Sequence, residues 1–571
     1  MLRTITVEGT LIDNYDQVVA SPIFKEIIKE YVEFLESIDS PILDVLLQFK
    51  HNNGYDYQEM VFFLYLLTLR PISERNSNAD VHKLHDFIEG LYDFWREKHR
   101  FIIKRERYPR SFNVRDSVIK STEFIGNTFE KTVRNLYRTL EKNIFLKTEK
   151  ILREVPSGAQ VIFLVDKPRI REKERLDYHL LYSMPFIWGI IFEPPVIFHT
   201  KSNKRKGIFP IVNEKILSKI DLGQSKWYVL PIHVGRLILY IYINSEYLCH
   251  VAGLANLFEI VTPEELRKPD GIVFFGLPLE SIGKDYINGV VFKDDLYVGV
   301  VPDIEENDYF GYAKKIVLTV HNLIMIDTFK LPIHGSLARI KLKSGQSATA
   351  MFVGDSGAGK SETLDALGRL TEISDLEIII DDMGSLDIEN DRVVAYGTET
   401  GAFVRLDDLP PGYAYATIDR SIFMNPDQSN ARVIVPYGNF DRITAPTPID
   451  FFLYANNFTN VNSNEERIRF FRDPDIALET FSKGARMAKG TTSEKGLSYS
   501  YFANPFGAVQ RREAHEKIAR KYITKMFNEG IRVGEIRTML GIKGYEREGP
   551  YLAAKDLLRV ITHNKSSKGR K

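Results

Sequence analysis

The stretch Met351 to Leu370, MFVGDSGAGKSETLDALGRL, decides how this chain is read. Within it Gly354, Asp355, Ser356, Gly357, Ala358, Gly359, Lys360 and Ser361 fit G-x-x-x-x-G-K-[ST], a loop that cradles phosphates. Ala348 to Val353 reads as a short buried strand, and Glu362 to Leu370 as a helix with Leu364, Leu367 and Leu370 at helical spacing. The glycines let the backbone turn tightly and bring its N–H groups to an anion at a helix N-terminus. Lys360 is expected to place a point charge on the outer phosphates of a nucleotide, and the Ser361 hydroxyl to hold Mg²⁺.

Downstream, Leu376 to Ile380 reads as an apolar strand ending in Asp381-Asp382, where proteins with such a loop hold their catalytic cation. Upstream, His334-Gly335-Ser336 opens a strand pair leading into the loop, after a helical run from the Tyr309–Lys315 segment to about Thr328. Val290 to Val300 reads as a hairpin around Lys293-Asp294-Asp295. Gln160 to Val165, Tyr228 to Pro231, Leu237 to Ile243 and Gly271 to Phe275 read as strands. Between them lies TKSNKRKG, Thr200 to Gly207. A solvated loop is the default for such a basic stretch, yet its place among strands also suits an arm for an anionic substrate. Beyond Val394 the pattern is strand-rich through Gly401–Leu406, Ala431–Pro436 and Pro448–Tyr454, then helical at Asp475–Lys489 and Glu513–Gly530.

Residues 1 to about 155 read differently. Ser21–Leu47, Tyr57–Leu69, Val81–Arg100 and Thr122–Arg153 carry apolar residues three and four apart with charges between. The run Met60 to Leu69 is too short to span a bilayer and is expected to be a buried helix. The basic run from Arg96 to Arg110 reads as a solvated helix face and loop in preference to an anion or partner patch. Four regions result: 1–155, a mainly helical accessory region; 156–330, an α/β substrate-side domain; 331–561, a P-loop nucleotide-binding catalytic domain; and 562–571, a disordered basic tail.

Composition narrows the function classes. Lys plus Arg and Asp plus Glu are both 76 in 571 residues, so no bulk charge draws the chain to nucleic acid or membrane. The single cysteine, Cys249, rules out an internal disulfide framework and any cysteine-cluster metal site. The first residues lack the apolar core of a signal peptide, and a cytoplasmic protein is expected.

Taken together, Tyr309 to about Gly549 resemble the phosphoenolpyruvate carboxykinase superfamily, specifically its ATP-dependent branch, with HPr kinase as a more distant relative. Tyr309-x-Gly-x-x-Lys314-Lys315 is similar to that family's tyrosine and twin-lysine segment, and His334-x-Ser336 follows at its separation. Ser356 and Gly357 to Ser361 resemble its kinase loop, Asp381-Asp382 its paired aspartates, and Glu399 to Phe403 its Glu-Gly-Gly-Cys-Tyr segment. Ala431-Arg432-Val433 through Pro436 resembles its Thr-Arg-Val strand; Glu494-Lys495-Gly496 and Phe506-Gly507-Ala508 resemble its C-terminal nucleotide-side segments.

The resemblance implies an α/β, two-lobed carboxykinase-like catalytic region preceded by extra helical residues. It implies ATP with Mg²⁺, and Mn²⁺ held by Lys315, His334 and Asp382 in a mixed N/O site. Lysine ligates only when neutral, so the Lys315 pKa would have to fall. The implied reaction decarboxylates oxaloacetate and phosphorylates the enolate. Tyr309 would orient the carboxylate, Arg432 would stabilise developing charge, and Glu362, Arg405 and Lys495 would lie on the nucleotide side.

Three departures bear on the acceptor. The arm offers Lys201 and Lys204 where the family places arginine, which loses bidentate geometry. Glu362 follows Ser361, as in the HPr kinase loop, and Arg405 stands where a lysine is usual. A kinase acting on a hydroxyl of a small molecule or protein, with Asp382 as base, is therefore the alternative expectation. A nucleotide-sensing interaction protein is the third.

Overall fold

The computed structural model describes residues 4–8, 14–51, 54–74, 80–96, 100–104, 131–144, 151–152, 161–168, 170, 176, 178–192, 194–223, 225–355, 357–409, 413–462, 465–488 and 496–563. The chain is mixed α/β with several sheets, and it divides into two compact units, Met1–Glu149 and Lys150–Lys571. No helix among the described residues is long and apolar enough to cross a membrane.

The first unit is built from amphipathic helices. Helix Pro22–Ser37 starts on the Ser21 hydroxyl, which accepts from the Phe24 N–H, and it carries proline in its first turn. Its buried stripe, Phe24, Ile27, Ile28, Tyr31, Val32 and Leu35, joins residues of helices Tyr57–Leu69 and Val81–Arg96 and of 131–144 in one core. Helix Tyr57–Leu69 is only half buried: Met60, Val61, Leu64 and Leu67 face the core, while Phe62 and Leu69 are exposed. Two expected helices end early. The one expected to reach Arg100 stops at Arg96, and Arg100–Lys104 is a strand parallel to Thr4–Glu8. Of the helix expected over Thr122–Arg153, the described part is 131–144, and Ile151–Leu152 is a strand of the second unit. Most of the basic run 96–110 lies outside the described residues.

The boundary falls at 149/150 rather than 155 because Ile151–Leu152 pairs with Phe186–Phe192 in a ten-stranded sheet. Regions 156–330 and 331–561 do not separate. Strand Val196–Phe198 pairs with Ile422–Met424 in a four-stranded sheet, and helix Phe310–Asp327 packs on strands of both regions. Near the C-terminus, helix Pro474–Lys483 stops short of Lys489 because Gly484 adopts φ 56° and caps it. The tail begins later than 562: helix Glu548–His563 runs on because Leu557, Leu558 and Ile561 are buried, and 564–571 lie outside the described residues.

One sheet positions the site. Strand Leu331–Leu342 lies between Ser347–Val353 and the pair Ile373–Ile380 and Met383–Glu389. Val353 stands opposite Gly335, Ile380 opposite Leu337 and Met383 opposite His334. The two strands that end in the phosphate loop and in Asp381-Asp382 therefore converge on His334-Gly335-Ser336. Gly335 is needed there, since a Cβ would lie 2.5 Å from the Phe352 carbonyl oxygen.

Candidate active site

The phosphate loop follows strand Ser347–Val353 and runs into helix Lys360–Gly368. Gly359 precedes the helix at φ 99°, where a Cβ would lie 2.6 Å from Thr538 Oγ1. Asn457 donates to the Gly357 carbonyl at 2.9 Å and Thr538 to the Ala358 carbonyl at 3.1 Å, so remote segments hold the loop's shape. Lys360 is buried, and its ammonium donates to the Gly354 carbonyl at 2.5 Å. Ser361 is exposed in the helix's first turn, and Glu362 beside it places negative charge near the helix N-terminus. The Asp355 carboxylate accepts from Arg486 Nε at 3.1 Å and from the Ser500 hydroxyl at 2.9 Å. Ser356 lies outside the described residues.

A buried chain of charges runs from the loop into the sheet. His334 Nε2 is 2.9 Å from Asp382 Oδ1, and Lys314 Nζ is 2.7 Å from Asp382 Oδ2 and 3.1 Å from Glu399 Oε1. The Ser336 hydroxyl donates to the Asp381 carbonyl at 2.5 Å. Tyr437 receives the Asp381 N–H at 3.3 Å and donates to the Glu399 carbonyl at 3.0 Å. His334 Nδ1 hydrogen-bonds the Ala503 carbonyl. That carbonyl sits in a run of three non-glycine residues at positive φ: Phe502 at 49°, Ala503 at 60° and Asn504 at 61°. Such backbone costs on the order of 1 kcal/mol or more per residue and persists only where its surroundings over-determine it. Here it fixes the orientation of the imidazole.

The electrostatics follow from burial and pairing. Burial opposes the charge on Lys314, but the Asp382 and Glu399 carboxylates more than offset it and raise its pKa. Asp382, also opposed by burial, is held well below the usual carboxylate range by Lys314 and His334. Burial and the Asp382 charge raise Asp381, and burial raises Glu399 to about 8. Lys315 is pushed down to about 8, first by burial and then by the positive charge of Arg205. The lysine in contact with Asp382 is thus Lys314, whereas Lys315 Nζ lies 4.8 Å from the centre of the Phe506 ring.

The arm is tied down at its backbone. Asp308 accepts the Lys201 N–H at 2.9 Å through its carboxylate and the Ser202 N–H at 3.0 Å through its carbonyl; its other carboxylate oxygen is 2.9 Å from His250 Nε2. Asn425 accepts the Thr200 N–H at 2.7 Å and donates to its hydroxyl at 2.9 Å, and Asn430 donates to the Asn203 carbonyl at 2.6 Å. The Lys201 and Lys204 side chains are exposed. The arm's half-buried cation is Arg205, which lines a small cavity with Lys315.

Arg432 continues this network: its guanidinium donates to Asn430 Oδ1 at 3.0 Å and lies 5.3 Å from the Phe403 ring centre. Tyr309, buried at the start of helix Phe310–Asp327, has its ring 6.4 Å from that of Phe403. Arg405 stands opposite Arg432 in the strand pair and bridges to Asp407. Lys495 lies outside the described residues.

The structure therefore brings His334, Asp382, Lys314 and Glu399 into contact and places Asp355 3.9 Å from His334. Arg486, Asp308, His250 and Asn425 were not singled out by sequence, because each reaches its partner across more than 50 residues. Glu399 lay within a motif segment, but nothing local marked its burial. Neither a family model nor a curated protein matches the chain.

Proposed function

We propose that the chain is an ATP-dependent phosphoryl-transferring enzyme of the phosphoenolpyruvate carboxykinase type, with a carboxykinase-like arrangement of residues 150–571. The observation that carries this reading is the convergence of the phosphate loop, His334 and Asp381-Asp382 on one strand, with Lys314 on the Asp382 carboxylate. In such transfer the protein contributes mainly position and electrostatic stabilisation.

The residues present fit the implied cations. His334 engages a carbonyl through Nδ1 and turns Nε2 toward Asp382, an arrangement typical of metal-ligating histidines. Lys315, with a pKa near 8, carries a neutral fraction able to ligate. His334, Asp382 and Lys315 would hold Mn²⁺, and Ser361 would hold Mg²⁺. Bound metal would supply charge stabilisation to the reacting oxygens.

Lys360 would exchange the Gly354 carbonyl for the outer phosphates of ATP, while the loop N–H groups fix the β-phosphate. Arg432 would face the charge that develops on the transferred group, and Tyr309 would orient the substrate carboxylate. Lys314 and His334 favour the ionised form of Asp382. With oxaloacetate the transfer releases CO₂ and phosphorylates the enolate oxygen. Stoichiometric, oxaloacetate-dependent formation of ADP and CO₂ by the purified chain is the expected result.

A kinase acting on a hydroxyl is the second reading. It is favoured by the exposure of Lys201 and Lys204, which leaves a dicarboxylate without those two cations. Asp382, held ionised, would take the hydroxyl proton. ADP formation with a hydroxyl acceptor, unaccompanied by CO₂, would select this reading and reject the first.

A further inference from the structure

The chain's single cysteine takes no part in the site described above. Cys249 lies in the first turn of helix Leu248–Leu257, next to His250, and Asp308 approaches both from the segment before helix Phe310–Asp327. The Cys249 sulfur, a ring nitrogen of His250 and a carboxylate oxygen of Asp308 all lie within 4.8 Å of one another. His250 and Asp308 are buried, while Cys249 is partly exposed, which leaves a way in.

The three donors suit one class of ion. A thiolate, an imidazole and a carboxylate offer sulfur, nitrogen and oxygen, the set that borderline-soft Zn²⁺ takes. Ligand atoms bonded to Zn²⁺ at about 2.0–2.3 Å stand roughly 3.3–3.6 Å apart in a tetrahedron, so the three atoms are already within about 1.5 Å of that spacing. The imidazole is held as metal-bound histidines are. Its Nε2 is 2.9 Å from Asp308 Oδ1, and its Nδ1 is buried with no hydrogen-bond partner among the described residues. A buried ring nitrogen in that state calls for a partner. The rings of Phe275 and Tyr247, 4.9 and 6.1 Å away between centres, fix the imidazole by packing. Burial and the Asp308 charge push the Cys249 thiol up to about 12, so it is no free nucleophile and ligates only where a cation displaces its proton.

We propose that Cys249, His250 and Asp308 form a binding site for a thiophilic divalent cation of the Zn²⁺ class. The ion takes the thiolate and the imidazole, and the Asp308 carboxylate either completes the set or backs the ring as it does now. Binding releases the thiol proton to solvent. The other Asp308 oxygen keeps the Lys201 N–H at 2.9 Å, so the ion shares this carboxylate with the anchor of segment 200–206.

The test is a Co²⁺ titration of the full chain, free of nucleotide, followed by optical absorption. Cys249 is the only cysteine among the 571 residues, so a thiolate-to-Co²⁺ charge-transfer band comes from this site alone. The nitrogen and oxygen donors assigned above to Mn²⁺ and Mg²⁺ give no such band. A saturable band at one Co²⁺ per chain is expected, displaced by Zn²⁺. His250→Gln should raise the Co²⁺ concentration for half-saturation ~10-fold or more, since even loss of a partner behind a ligand costs that much. Should that variant fold poorly, Cys249→Ser removes only the sulfur and should lower by one the Zn²⁺ equivalents retained on equilibrium dialysis. Absence of the band in the folded wild type, unchanged half-saturation in His250→Gln, or unchanged Zn²⁺ equivalents in Cys249→Ser overturns the proposal. The readout needs no turnover. A chain that shows the band yet transfers no phosphoryl group keeps this site and loses the reading of the previous subsection.

Discussion

The phosphate side and the arm side of the candidate site are assembled in opposite ways. On the phosphate side, residues 347–382 supply strand, loop, helix, strand and aspartate pair in unbroken order, and one partner strand, Leu331–Leu342, gathers them. On the arm side, residues 200–206 have no regular structure and are held by Asp308, Asn425, Asn430 and the Tyr312 hydroxyl, all more than 100 residues away. A contiguous site announces its chemistry in residue order. A site held by distant partners announces only that it is basic.

The comparison yields graded expectations. The largest effect belongs to the phosphate side: Lys360→Ala or Ser361→Ala should lower kcat for phosphoryl transfer by roughly 10²–10³, the usual loss for a group aimed at transition-state charge. Circular dichroism should remain that of the wild type. Near-wild-type turnover by a folded Lys360→Ala chain would remove the loop from the chemistry.

An intermediate effect is expected at the buried charges beside the loop. His334→Gln and Asp382→Asn should each raise the Mn²⁺ concentration needed for half-maximal activity by ~10-fold or more, since even partners behind the ligands are worth that much. Superimposable Mn²⁺ titrations in both variants would exclude these residues as ligands.

The smallest effect belongs to the arm. Asp308→Asn keeps the shape but cannot accept from both His250 and the Lys201 N–H, at a cost of about 1 kcal/mol for one hydrogen bond. Hydrogen exchange should quicken within residues 200–206, and the acceptor KM should rise several-fold while ATP affinity holds. Unchanged exchange would mean that Asp308 does not set the arm, and the contrast between the two sides would weaken.

Several features were legible in the residues alone. The strand before Gly354, the helix after Gly359, the strand ending at Asp381-Asp382 and the hairpin near Lys293 all follow from local periodicity and turn chemistry, which act within a few residues. The amphipathic stripe of Pro22–Ser37 follows for the same reason. What the tertiary structure decided is which charges meet. Adjacent lysines look alike in sequence, yet one turn of helix Phe310–Asp327 buries Lys314 between Asp382 and Glu399 and turns Lys315 to Phe506 and the Arg205 cavity. The arm's cations likewise differ only in the side of the backbone they leave: Lys201 and Lys204 go to solvent, and Arg205 goes to the cavity. Burial and pairing set the charge state of each group, and both depend on chain segments brought together across hundreds of residues, which no local pattern encodes.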